Sequence, residues 1–329
     1  MRIKKVIVLF AAICMVLTVG IMPLVASAAK PFPKMIAVGT GPVGGGFNML
    51  TVGISKYWKK DLGITVNMVP AVLKHNLVRF GERRLDVMLS ASGWYNGGYE
   101  GRKEMGFEKP VRSLRAMFHI YSNPYYFIAL KKSGLRTIAD MKGKRYGGGP
   151  NKAVWGILVG HKLEANGVKY FDNRKMSIAN FRDMCQMLGD GTVDACVTMF
   201  EGLVPQPPAH KLMQEKELVA LEWDPAVLEQ FKNDTFGPAV IKKELLSFLE
   251  RDHHCWEGGM AVFIARDNID EDFVYALTKS FHKNLNKLAA ENPYWKYPVK
   301  YPEVLTFDGG IPYHPGAIRY WKEVGRWTR

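Results

Sequence analysis

The sequence predicts an α/β protein built as two lobes around a ligand cleft. Three observations point there. Short apolar runs alternate with helix-length amphipathic segments from residue 36 onward, the pattern of a mostly parallel sheet covered by helices. Two of these runs end in glycine-rich turns, at residues 39–46 and 147–149, and each turn leads into a helix. A strand-length run is broken at Ser122-Asn123-Pro124, and the apolar run at 261–265 follows Gly258-Gly259. Segments of that kind suit the two crossings between lobes.

The elements follow in order. Ile36-Ala37-Val38 is a short buried strand. Gly39-Thr40-Gly41-Pro42-Val43-Gly44-Gly45-Gly46-Phe47-Asn48 is a turn and the start of a helix. Unpaired N–H groups at a helix N-terminus hold an anion without any cationic side chain. Glycine lets a ligand approach such a backbone closely. Residues 49–60 read as an amphipathic helix, 64–69 as a strand and 77–84 as a short helix stopped near Gly81. Residues 85–89 form an apolar strand whose end carries Ser90-Ala91-Ser92-Gly93-Trp94-Tyr95. In open sheets ligands sit beyond the carboxyl ends of strands, which makes 39–46, 71–76 and 90–95 the candidate site in this half. The spacing Gly39-x-Gly41-x-x-Gly44 also matches a dinucleotide fingerprint. That reading needs an acidic residue after the second strand, and Val69 runs into Pro70-Ala71-Val72-Leu73-Lys74 without one.

Residues 114–121 and 125–130 read as a kinked strand pair, and a second α/β unit starts at 138. Its turn, Gly147-Gly148-Gly149-Pro150-Asn151-Lys152, leads into a helix at 153–166. A helix at 181–188 and a strand at 193–198 follow, with Met199-Phe200-Glu201-Gly202 at the strand end. Pro205, Pro207 and Pro208 break the chain. A strand at 218–222, a helix from Pro225 and another around 242–249 precede the return strand at 261–265. Residues 270–290 form a long helix with acids in its first turn and Lys283 and Lys287 late, as the helix dipole favours. The tail from Ile311 ends in a short helix. The first lobe is thus residues 29–121 plus 257–329, and the second is 122–256.

The ends and the charge bound the function. Arg2, Lys4 and Lys5 precede a mostly apolar stretch at 6–25, and Ala26-Ser27-Ala28 is a small-x-small cleavage signal. We read residues 1–28 as a signal peptide cut near Ala28 and the mature chain as exported to the periplasm; the alternative is an uncleaved anchor. The chain carries 45 Lys and Arg against 31 Asp and Glu, a net +14, and loss of the three leader cations leaves +11. That charge favours acidic ligands or an anionic surface. No dense basic run or motif supports nucleic-acid binding. Of the three mature cysteines, Cys185 and Cys196 sit on a helix and the next strand and could face each other, bonded or as free thiols. His253-His254-Cys255 is contiguous, which does not suit convergence on one metal ion. No metal and no cofactor is expected.

Individual residues carry the site expectation. Thr40 and Ser90 are small hydrogen-bonding groups at strand ends. Lys152 opens the second-lobe helix, where a cation opposes the helix dipole by roughly 0.3–1 kcal/mol unless an anion offsets it. Trp94, Tyr95, Tyr125, Trp155 and Phe200 fall near strand ends or the crossing, beside Asn123, and a few of them would line an apolar cleft. Arg79, Arg83 and Arg84 have solvent-face spacing, and Asp86 and Asp194 cap or pair locally. His75 is the best general-base candidate but has no evident nucleophile, and no G-x-S-x-G elbow is present, so an enzyme is not expected.

These residues resemble a family. The early G-T-G-x-x-G-G turn, the strand ending in a small polar pair, and Met141-Lys142-Gly143-Lys144-Arg145 before a Gly/Pro turn are similar to the solute-binding receptors of TRAP transporters. Asp190-Gly191-Thr192-Val193-Asp194-Ala195 and the segment from Ile311-Pro312-Tyr313-His314-Pro315-Gly316-Ala317-Ile318-Arg319-Tyr320 resemble the TAXI branch. The resemblance spans nearly all of the mature chain and is most specific in its C-terminal segment. It implies a type II periplasmic-binding-protein fold. It further implies a receptor for a small organic anion, such as an amino acid or a dicarboxylate, that delivers to a TRAP-type membrane permease; a monomer is expected. A ligand-sensing subunit or a secreted enzyme on the same scaffold are the alternatives. By position the resemblance points to Thr40, Gly41, Val43, Gly44, Gly45, Ser90, Ser92, Gly149, Asn151, Lys152 and Ala153. Trp94, Asn123, Tyr125 and Phe200 complete the expected ligand set. The chain departs from the family at Pro42, at Ala71-Val72-Leu73 and at Pro150-Asn151-Lys152-Ala153, where Gly, Ser or Thr is usual.

Overall fold

Strand, turn and helix follow one another at the start of the chain because each local signal agrees with the next. The computed structural model describes residues 31–149, 154–170, 175–178, 180–232 and 236–329. The leader at 1–28 and the turn residues 150–153 lie outside them. Pro33–Arg329 forms one compact unit. Among the described residues no helix is long and apolar enough to cross a membrane.

The strands are β1 (Met35–Thr40), β2 (Thr65–Pro70), β3 (Val87–Ala91), β4 (Leu114–Leu130), β5 (Tyr146–Gly148), β6 (Lys175–Ser177), β7 (Ala195–Glu201), β8 (Val204–Pro205), β9 (Leu218–Ala220), β10 (Pro238–Ile241) and β11 (His253–Arg266). The helices are α1 (Gly46–Leu62), α2 (Leu73–Gly81), α3 (Ser92–Glu100), α4 (Val154–Ala165), α5 (Phe181–Gly189), α6 (Pro207–Glu215), α7 (Pro225–Gln230), α8 (Glu271–Glu291), α9 (Lys296–Lys300) and α10 (Pro315–Glu323). The sheet runs β2-β1-β3-β11-β4-β7-β5-β6. Its two ends repeat one plan. β2-β1-β3 is a parallel triple backed by antiparallel β11, and β6-β5-β7 is a parallel triple backed by antiparallel β4.

Each half has its own aromatic core. In the first, Phe118 stacks on Phe281 of α8 at 3.8 Å and lies 5.0 Å from Phe263. Trp58 of α1 packs edge-on to Phe263 and its indole N–H donates to Leu277 O at 3.1 Å, which pins α1 to α8. In the second, Tyr126, Phe127, Tyr146, Trp223 and Trp256 are fully or almost fully buried in one cluster. Cys185 of α5 and Cys196 of β7 belong to it as free thiols that face each other. Asp86 accepts from Ala37 N and pairs with Arg266 at 3.0 Å, and Asp194 pairs with Arg145 at 2.9 Å; both carboxylates pair as expected, but with partners distant in the chain rather than local ones.

The crossings differ from the expectation. The kinked pair at 114–130 is one continuous strand, and the return strand begins at His253 rather than at 261. Pro124 does not break β4, because it sits before the ladder with β7 begins at Tyr125–Met199, where its missing N–H is not needed. Gly258-Gly259 does not end β11 either. It forms a bulge between the Glu257–Pro124 and Met260–Ser122 pairs. Glu257 stitches the two strands together here. Its Oε1 accepts from Asn123 N (3.0 Å) and Gly259 N (2.8 Å), and its Oε2 accepts from Ser122 Oγ. Asn123 Nδ2 donates to Gly259 O at 2.5 Å. A side chain does not fit the bulge: a Cβ at Gly258 would lie 2.5 Å from Asn123 O, and Gly259 has φ +116°.

Two helical segments also differ. α3 was not legible, because Gly93, Asn96, Gly97 and Gly98 are poor helix formers. Tertiary contacts hold it, including Tyr95 OH donating to Gly309 O at 2.9 Å. The expected helix at 242–249 is only a 3₁₀ turn at Lys243–Leu245.

Candidate functional site

A sheet order of 2-1-3 reverses direction between β1 and β3, and ligands in such sheets sit at that switch point beyond the carboxyl ends. The repeated order 6-5-7 makes a second switch point between β5 and β7.

At the first, Thr40 is fully buried. Its hydroxyl donates to Gly41 O (2.9 Å) and accepts from Asn48 Nδ2 (3.2 Å), while Asn76 Nδ2 donates to Thr40 O (2.6 Å). Thr40 therefore shapes the turn. Gly45 N donates to Pro42 O, and Met49 N makes the first helical bond, to Gly45 O. No side chain caps α1, and the N–H groups of Gly46, Phe47 and Asn48 have no partner among the described residues. Gly41 is buried, Gly44 is exposed, Gly45 is half-buried and Val43 is 79% exposed, so the outer turn faces solvent. At the end of β3, Ser90 Oγ is buried without a partner among the described residues. Ser92 Oγ accepts from Met260 N at 2.9 Å and serves the crossing, and Trp94 is half-buried on α3.

At the second switch point, Gly149 is buried and its carbonyl accepts from Tyr170 OH at 3.3 Å. Asn151, Lys152 and Ala153 lie outside the described residues. Phe200 and Tyr125 are fully buried in the core of the second half, and Phe200 packs on Tyr126 at 5.7 Å. Asn123, 1% exposed, is a crossing residue. His75 is exposed on α2.

The residue that joins the two switch points is Glu201, the last of β7. It comes against the first turn of α1, where a Cβ on Gly46 would lie 2.0 Å from Glu201 Oε2. Only glycine lets the carboxylate so near the helix end. Glu201 is 7% exposed and its Oε2 is buried without a hydrogen-bond partner among the described residues. Burial pushes its carboxyl up to about 7, against Gln206 and Tyr294, whose hydrogen bonds favour the anion. Tyr121 stands beside it. Its ring lies 6.3 Å from Phe47 and its hydroxyl is buried without a partner among the described residues. Burial, then Glu201 and Tyr294, push that phenol well up. A bulge in the β4 ladder between the Tyr121 and His119 pairs breaks the two-residue alternation, so His119 instead meets Tyr95 and Tyr313.

A cavity of about 1160 Å³ opens outside this contact, between residues 42–46 and the α5–α6 side of the second half. Arg182, Lys211 and Lys216 on its lining are balanced by Asp183, Asp190 and Glu215, so the free amides of the turn and not the rim charge would select an anion.

Glu201, Tyr121 and Gly46 were not among the expected ligand residues. The one signal was Glu201 itself, a carboxylate ending an apolar strand; what lay opposite it was not readable. Among the described residues no cluster of His, Cys, Asp and Glu suits a metal ion.

Solved structures share this architecture. MatC from Rhodopseudomonas palustris with bound malate aligns at TM-score 0.53 and 13% identity over 90% of this chain and 98% of its own. A TctC solute binding protein from Polaromonas aligns at 0.52 and 13% identity over 81% and 88%. A binding protein component of an ABC phosphonate transporter from Pseudomonas aeruginosa aligns at 0.52 and 12% identity over 79% of each chain. At these identities the likeness is one of fold, the periplasmic-binding-protein fold that the sequence predicts. The model of the NMT1-like family matches residues 38–325, almost the whole of the described chain, and the protein belongs to that family.

Proposed function

We propose that this protein is an extracytoplasmic solute receptor of the TAXI type. It closes on a small carboxylate-bearing solute and delivers it to a TRAP-type membrane permease. The observation that carries the reading is the uncapped start of α1, three free amides at one switch point, beside a cavity whose far side is α5 and α6 of the second half. A carboxylate there completes the orphan donors and gains from the helix dipole. In this reading the solute contacts are the turn Thr40, Gly41, Val43, Gly44 and Gly45, the strand end Ser90–Ser92, and Gly149 from the second half; Asn151, Lys152 and Ala153, also expected to contact it, lie outside the described residues. Residues 29–121 with 257–329 move against 122–256 about the Glu257 crossing. The mature monomer is exported after cleavage near Ala28. Fold neighbours that bind malate or serve a phosphonate transporter support an acidic solute.

Thermal unfolding of residues 29–329 against amino acids, dicarboxylates, keto acids and aromatic acids tests this. A ligand at 100 times its Kd adds about 2.7 kcal/mol, a visible rise in melting temperature. A shift with one acid class establishes the receptor. A shift confined to neutral compounds would sink the anion reading.

A further inference from the structure

The start of α1 and the end of β7 do not satisfy each other. The helix end offers the free N–H groups of Gly46, Phe47 and Asn48, and Glu201 Oε2 touches Gly46 yet is bonded to none of them. Tyr121 adds a hydroxyl that is also without a partner among the described residues. A solute that enters from the adjoining cavity past Gly46 meets these free donors and one buried carboxyl. For a solute that is itself a carboxylate, that carboxyl is the mismatch, unless it carries a proton.

We propose that Glu201 is a solute-contacting residue that works as an acid: the cleft takes its carboxylate solute together with one proton, held on Glu201. This rests on the receptor reading above and names how that site admits its solute. Two carboxylates brought into contact at a buried position cannot both stay ionised, and one is protonated. The protonated Glu201 donates its O–H to a solute oxygen, while the α1 amides and Tyr121 donate to the rest. The groups that face Glu201 are Tyr121 of β4, Tyr294 of the turn Pro293–Trp295 and the amide of Gln206, with Tyr297 of α9 beside Gly202. All are neutral across the working range, so the proton belongs to Glu201. Burial already holds its carboxyl near 7 in the empty protein. The linkage sign follows. Below that value Glu201 is protonated before binding and affinity is flat. Above it each binding event takes up a proton, and affinity falls about tenfold per pH unit.

The experiment is titration calorimetry of the purified protein with the acid that gives the largest thermal shift, from pH 5.5 to 8.5, in buffers of different ionisation heat. Uptake of one proton per acid at pH 8, together with loss of both the uptake and the pH dependence in Glu201→Gln, supports the proposal. A second reading needs no variant: the infrared spectrum of the wild-type protein gains a protonated-carboxyl band when the acid is added at pH 8. Acid binding with no pH dependence, or proton uptake that persists in Glu201→Gln, overturns the proposal and leaves the receptor reading standing. Affinity that rises with pH and is confined to amine-bearing solutes also overturns it, because Glu201 is then an acceptor for an ammonium group. Binding of neutral compounds alone overturns both.

Discussion

Glu201 and His119 are buried titratable groups that burial moves in opposite directions. Glu201 rises from 4.5 to about 7, so the folded protein binds its proton more tightly than the unfolded chain. Its contribution is present below pH 4.5 and is lost as pH rises through 7. His119 falls from 6.5 to about 3, mainly through burial with the Arg329 charge adding. Its contribution is present above pH 6.5 and is lost as pH falls toward 3. Urea unfolding across pH checks both. Glu201→Gln should gain on the wild-type protein by up to roughly 3 kcal/mol between pH 4.5 and 8, and His119→Gln should lose the acid limb between pH 6.5 and 4. A constant difference at all pH values would show that neither side chain is shielded as the geometry requires.

At the scale of elements, α1 and the β4–β11 crossing divide the work. α1 presents donors at its start and is anchored by Trp58 on α8. Gly46→Ala places a methyl group where the Glu201 carboxylate lies. Glu201 can swing away, so the expected result is little change in melting temperature and at least a tenfold loss of acid binding, read by calorimetry. The crossing is held in register by the Glu257 hydrogen bonds. Gly259→Ala forces φ +116° on a residue with a Cβ and drives that Cβ toward Ser92 Oγ, at 2.9 Å. It should cost about 1–3 kcal/mol in urea unfolding. Glu257→Ala leaves Asn123 N and Gly259 N without their acceptor, and should cost about 1–3 kcal/mol by the same measurement.

For the whole molecule, two halves of one plan share two long strands. In the proposed receptor the two halves rotate about these shared strands, near the bulge at Gly258-Gly259, without breaking either core. A solute that touches both switch points binds the closed form better than the open form, and that difference in affinity is the only source of closure. Small-angle scattering should show a smaller radius of gyration when the bound acid is present. Glu257→Ala, which loosens the crossing, should enlarge the difference between the empty and filled protein. An unchanged radius would argue that the empty protein is already closed.

The sequence by itself determined the α/β class, the glycine turn that leads into α1 and the ends of β1 and β3. Those signals are local: alternation of apolar runs, glycine where the backbone must turn, small polar residues where strands stop. It also allowed Cys185 to face Cys196, since the two lie on a helix and the strand that follows it; the partners of Asp86 and Asp194, Arg266 and Arg145, are distant in the chain and were not readable. The tertiary structure decided what depends on partners distant in the chain. β4 continues through Pro124 because its ladder needs no N–H there, and β11 continues through two glycines because Glu257 closes the bulge. Tyr125 and Phe200 are core residues because the second half buries them from both sides. Glu201 meets Gly46 because the two ends of the sheet repeat one strand order and bring their switch points together. Burial of a charge opposite a helix end is a property of that meeting, and neither residue carries a local signal of it.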